Sequence, residues 1–150
     1  MKQPIIYATA LLIIFSSFVF AEGPLKDKEQ EDSLLSFLEG SYEVVGKYPE
    51  DGGTYLGTMT LTHKGSELQI TRNIRGKEST GNAKIITATA DDIPVLQADF
   101  TQGKDKLKAT YIISTDLDNF ARLTGKVYFT GRETKSPGLE ALFIHHIPDK

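Results

Sequence analysis

The sequence predicts an all-β fold, a single antiparallel up-and-down β-barrel of about eight strands preceded by a short N-terminal helix. Three observations predict it. From Gly40 onward apolar side chains recur at every second position, the period of a half-buried strand. Turn-forming residues interrupt that alternation at the short intervals found in all-β sandwiches and barrels. The connections are also short, so consecutive strands pair in order, and about eight meandering strands can close on themselves and leave no free edge.

The N-terminus carries a different signal. Met1 and Lys2 make a short positive start, and the stretch 5–20 is apolar and free of charge. It is shorter than the roughly 20 apolar residues a spanning helix requires. It suits instead the hydrophobic region of a signal peptide, with Val19-Phe20-Ala21 as the cleavage site. The expected organisation is therefore a signal peptide over 1–21, a polar linker and short helix over 22–39, and a barrel domain over 40–150, exported to the periplasm or secreted, with no membrane span after cleavage. The chain has no cysteine, so it has neither disulfides nor a lipid-modified cysteine.

Residues 22–31 are charged and polar and read as linker or frayed helix start. Asp32 and Ser33 are good N-cap residues, and Leu34, Leu35 and Leu38 fall at helical spacing before Gly40 stops the run. Such a helix would plug one end of a barrel. The strands are expected over 41–48, 54–63, 67–75, 83–90, 95–101, 106–115, 120–130 and 139–147. The last of these, following Pro137-Gly138, also reads as the start of a helix. Turns are expected at Pro49 to Gly53, Lys64 to Ser66, Gly76 to Gly81, Asp91-Asp92 and Gln102 to Asp105.

Alternation assigns the inward face. It collects Tyr55, Gly57, Met59 and Leu61 on the second strand, and Leu68, Ile70, Arg72 and Ile74 on the third. Leu96, Ala98 and Phe100 follow, then Leu107, Ala109, Tyr111 and Ile113, and finally Ala121, Leu123, Gly125, Val127 and Phe129. An interior that mixes small and large residues suits either a packed barrel or one holding a ligand. In the second case the wall is apolar, built by residues such as Met59, Phe100 and Phe129, with Arg72, Tyr55 and Tyr111 as its few polar groups, the composition of a small-molecule pocket. Arg72 is the odd residue, because a buried guanidinium requires a partner. Asp99, Glu140 or an anionic ligand would serve; otherwise Arg72 lies at the mouth, or the register slips at a bulge.

The formal net charge is −3, and cations are scattered among acids, which argues against nucleic acid as a partner. No nucleophile elbow, phosphate loop or zinc-protease helix is present, so no enzyme activity is expected. No metal or other cofactor is expected either. Asp116, Asp118 and Asn119 read as a turn. His145 and His146, as neighbours in a strand, point to opposite faces, and His63 lies at a barrel rim. Two functions follow: binding of a small apolar or amphipathic ligand in the barrel interior, or a periplasmic protein-interaction module with a packed core. The second would use Phe120, Tyr128 and Lys126 on the outer face.

Gly40-Ser41-Tyr42 after a helix, Thr115-Asp116-Leu117 between the sixth and seventh strands, and the later Arg132 occur in the order of the lipocalin motifs. The chain resembles that family. The resemblance implies that Tyr42 stands for the family's tryptophan and that Arg132 packs over it; Leu117 departs from the motif tyrosine. The run from Tyr48 to Gly57, the glycine turns at Gly65, Gly76 and Gly81, and the run from Pro137 to Leu142 are similar to a group of secreted bacterial β domains without assigned function. In that group a Gly-x-Tyr-x-Gly strand opens the barrel and a Gly-x-Glu strand closes it.

Overall fold

A computed structural model describes residues 23–24, 27–114 and 121–145. The signal segment, the Asp116 turn, Phe120 and His146 lie outside them. The elements are β1 (Gly23–Pro24), α1 (Lys28–Leu38), β2 (Gly40–Lys47), β3 (Thr54–Lys64), β4 (Glu67–Ile74), β5 (Lys77–Ala88), β6 (Ile93–Gln102), β7 (Asp105–Ile113), β8 (Ala121–Phe129) and β9 (Gly138–Ile144).

Strands β2 to β9 pair antiparallel in sequence order, and β9 returns to pair with β2, closing an eight-stranded up-and-down barrel. The expected inward residues are buried as alternation requires, from Tyr55, Met59 and Leu61 to Leu107, Ala109 and Tyr111. The segment after Pro137-Gly138 is a strand, held between β2 and β8.

Three local expectations are corrected. The helix starts earlier, because Asp27 caps it: its carboxylate accepts from the Glu29 and Gln30 amides at 3.0 and 3.4 Å. Strand β5 starts at Lys77, within the stretch expected to be a turn, because Lys77 to Ala83 pair with β4 even though their polar side chains show no apolar alternation. A β-bulge between Ala121 and Leu123 sets Ala121 opposite Phe143 and breaks its inward alternation with Leu123.

Helix α1 closes one end, burying Leu35 and Leu38 against the barrel. The Tyr42 hydroxyl donates to the Leu38 carbonyl at 2.7 Å. Arg122, re-aimed by the bulge, lies 4.2 Å over the Phe37 ring and donates to the Phe37 carbonyl at 3.1 Å. The other end carries the β2–β3, β4–β5, β6–β7 and β8–β9 connections and is the mouth. Among the described residues, no helix is long and apolar enough to cross a membrane.

Candidate functional site

The barrel interior is built around Glu140. Its cross-strand neighbours are Gly46 on β2 and Gly125 on β8, and beyond these stand Tyr55 on β3 and Tyr111 on β7. This Tyr-Gly-Glu-Gly-Tyr row runs across five adjacent strands. The Tyr55 hydroxyl donates to Oε1 of Glu140 and the Tyr111 hydroxyl to Oε2. From β4, Arg72 reaches the same carboxylate with both prongs, Nη2 at 2.6 Å from Oε1 and Nη1 at 3.1 Å from Oε2. Both charged side chains are fully buried.

The glycines are steric requirements of this row. A Cβ at Gly46 would sit 2.3 Å from the Tyr55 ring, and one at Gly125 would sit 2.2 Å from the Thr110 carbonyl oxygen. Phe100 covers one face of the guanidinium, with its ring centroid 4.0 Å from the Arg72 Cζ.

Burial alone would raise the Glu140 pKa, but the Arg72 charge and the hydrogen bonds from Arg72, Tyr111 and Tyr55 outweigh it and hold the carboxyl below its usual value. Burial likewise opposes the Arg72 charge, and Glu140 more than compensates. The Tyr55 and Tyr111 hydroxyls are pushed up, first by burial and then by the Glu140 charge. At neutral pH the cluster is therefore an ion pair with two neutral hydroxyl donors.

Nearer the mouth, Tyr48 packs edge-on against Tyr55 and Phe129, with centroids 6.2 Å apart in each case. Its hydroxyl donates to Asp105 Oδ2 at 3.2 Å across the opening. Burial and then the Asp105 charge push this hydroxyl up to about 12. Arg132 lies 3.5 Å over the Phe129 ring and pairs with Asp105 at 3.3 Å.

The wall of the mouth is unzipped at one place. The β5–β6 ladder ends at Gly81–Phe100, so Lys77 to Thr80 pair with β4 alone and Thr101 and Gln102 with β7 alone. A cavity of about 310 Å³ opens beside this notch, lined by Tyr48, Tyr55, Ile74, Lys77 and Gln102 among others. Among the described residues three buried side-chain polar atoms lack a hydrogen-bond partner: Gln102 Oε1, on the cavity wall, and Arg72 Nε and Ser79 Oγ, whose residues are not part of that wall.

Of the sequence-derived site residues, Arg72, Tyr55, Tyr111 and Phe100 meet around Glu140, and Met59 stands beside Arg72 as its cross-strand partner. Phe129 is apart from them, in the mouth. Arg132 is also at the mouth, at the far end of the barrel from Tyr42, so it does not pack over Tyr42 as the lipocalin pattern implies. Arg122 is the arginine at the helix end, and its charge acts on the Tyr42 hydroxyl. Ser79 was not anticipated as part of a site, nor was Gln102, read as a turn residue. His63 is at the rim of the helix end, where its ring lies 2.9 Å from the Gly65 carbonyl. His145 pairs with exposed Glu43 at 3.5 Å. Among the described residues, no group of three or more histidine, aspartate or glutamate side chains is placed to hold a metal ion. No protein-family model matches the chain, and a search of curated proteins finds no relative.

Proposed function

We propose that this is an exported, non-enzymatic binding barrel that takes a small amphipathic ligand at its open mouth, beside the β5–β6 notch. The observation that carries this reading is the cavity of about 310 Å³, whose size falls within the range of small-molecule sites and whose wall combines Tyr48, Tyr55 and Ile74 with a few polar groups. The sequence placed the ligand deeper. The Arg72–Glu140 cluster is buried in that interior, and Tyr55 is its member that lines the cavity, so the ligand is placed at the mouth side of the cluster. Glu140 held ionised and two tyrosines held neutral leave the cluster no proton to exchange near neutral pH, which supports binding over catalysis.

Export is supported by the N-terminal sequence alone, and N-terminal sequencing of the protein from a periplasmic fraction tests it: a first residue of Glu22 is expected. Kinship with lipocalins is supported by the meander, the helix plug, and Gly40-Ser41-Tyr42 entering the first barrel strand. The binding reading is tested by fluorescence titration with the neutral apolar probe N-phenyl-1-naphthylamine. Saturable binding of one probe per chain is expected, and Lys77→Trp, which fills the cavity from an exposed position, abolishes it. Absence of saturable binding, or binding unchanged in Lys77→Trp, refutes the site.

A second reading, a protein-interaction module, rests on the outer face. Leu56, Val45, Ala141, Thr124 and Ile112 are successive cross-strand partners on β3, β2, β9, β8 and β7. Leu56 and Ile112 are 67% and 62% exposed, which makes an apolar row rather than isolated residues. Capture of one partner from a periplasmic extract by the native protein, lost with Ile112→Lys, would favour it.

A further inference from the structure

Of the three unpartnered polar atoms, Gln102 Oε1 belongs to a residue lining the cavity, and Arg72 Nε and Ser79 Oγ stand on the same cross-strand row; together they define what the ligand's polar end must offer. Arg72 and Ser79 are cross-strand partners on β4 and β5. Continuing the β5–β6 register two residues beyond Gly81–Phe100, past the end of the ladder, brings Gln102 opposite Ser79. One interior row therefore presents an N–H donor, a hydroxyl that both donates and accepts, and a carbonyl acceptor. All three belong to the buried atoms without partners. A buried polar group left unmatched is costly, so the row favours an occupant that completes it.

The charge at this row is already balanced. The Arg72 fork gives one N–H from each Nη to Glu140, Phe100 covers one face of the guanidinium, and Nε is the guanidinium nitrogen left without a partner. A second carboxylate here would meet the Glu140 charge and the Gln102 carbonyl oxygen, and an ammonium would meet Arg72. Two cations also line the cavity. Arg75 donates to the Thr54 carbonyl, and exposed Lys77 is screened by water, so neither supplies a buried counter-charge.

We infer that the mouth site selects ligands whose polar end is neutral and both donates and accepts hydrogen bonds, an alcohol or a primary amide on an apolar body, held by Arg72 Nε, Ser79 and Gln102. Such a group makes the bonds a bridging water would make and can displace it without leaving a donor or acceptor unmatched. This rests on the binding reading given above.

The test compares 1-octanol, octanamide, octanoate and octylammonium by calorimetry and by ¹⁵N amide shifts of the purified protein. The alcohol and the amide are expected to shift the Ile74, Lys77 and Gln102 amides and to bind at least about ten-fold more tightly than either ion. Gln102→Leu and Ser79→Ala each weaken the alcohol by roughly five- to ten-fold, the scale of one lost hydrogen bond, with the melting temperature verifying that each variant is folded. Ser79→Ala carries the test alone if Gln102→Leu does not fold. Octanoate or octylammonium binding as tightly as octanol, or octanol affinity unchanged in the folded variants, overturns the head-group assignment while leaving a ligand at the mouth. If none of the four probes shifts the mouth amides, both the assignment and the binding reading fall.

Discussion

Arg72 and Glu140, on β4 and β9, form a two-pronged ion pair inside the barrel, with Nη2 to Oε1 at 2.6 Å and Nη1 to Oε2 at 3.1 Å and both side chains fully buried. Two strands, β3 and β2, separate them around the wall. The pair is coupled to Tyr55 and Tyr111, so its four members act as one unit.

Removing one member of this pair should cost far more than removing both. Glu140→Leu strands a buried guanidinium and is expected to destabilise the fold by about 3–5 kcal/mol. Arg72→Met/Glu140→Leu should lose much less than the sum of the two single changes, because no uncompensated charge remains. Urea unfolding of the four proteins of this cycle measures the coupling. Additive losses would show that the two side chains do not depend on each other.

The same carboxyl sets an acid limit. The folded-state pKa of Glu140 is lowered from 4.5, so its contribution is present above 4.5 and is lost as pH falls through the lowered folded value. Stability measured from pH 7 downward should fall below 4.5, and the fall should be reduced in Arg72→Met/Glu140→Leu. At the alkaline end the sign reverses. Tyr48 is raised from 10.0 to about 12, so the stability it contributes is present below 10.0 and lost as pH rises toward 12. Tyr55 and Tyr111 are also raised, and their tyrosinate absorbance should appear only as the barrel unfolds.

Gly46→Ala should destabilise by about 1–3 kcal/mol, since the added methyl meets the Tyr55 ring at 2.3 Å. Gly125→Ala should cost at least as much, because its clash is with backbone, the Thr110 carbonyl at 2.2 Å. A Tyr55→Leu background relieves the first and not the second. Thermal unfolding of these variants separates side-chain crowding from strand approach; equal rescue of both would contradict the steric account.

Arg122→Ala should loosen helix α1 without opening the barrel. It removes one stacking contact and one hydrogen bond to the Phe37 backbone. A local loss of about 1 kcal/mol is expected, seen as roughly five-fold faster amide exchange in α1 while exchange in β7 and β8 is unchanged.

The meander and its inward face were legible because one face of each strand is buried, and a period of two then fixes the register from Tyr55 through Val127. Arg72 was placed inward on that basis alone. Which of Asp99, Glu140 or a ligand answers it was not legible. Strand tilt and closure decide which rows meet across a barrel, and Arg72 and Glu140 lie 68 positions apart. The start of β5 was missed because Lys77, Glu78, Thr80 and Asn82 carry no apolar alternation, although their backbones pair with β4. The exchange of Arg132 for Arg122 at the helix end has a local cause, the bulge near Ala121, which motif order along a chain does not register.

The split pairing of β5 also bears on strand addition from outside. Only Gly81, Asn82 and Ala83 are bonded to both β4 and β6, so β5 offers two short stretches where a strand from another molecule would find backbone to pair with. Lys77 and Glu78 occupy the first stretch and Lys84 opens the second, all three exposed, while Gly23–Pro24 covers Ile86 and Thr87. Charged side chains and a proline-bearing strap at those places discourage edge-to-edge association. A cylinder that is open along part of one seam can in this way resist the addition of a foreign strand at that seam.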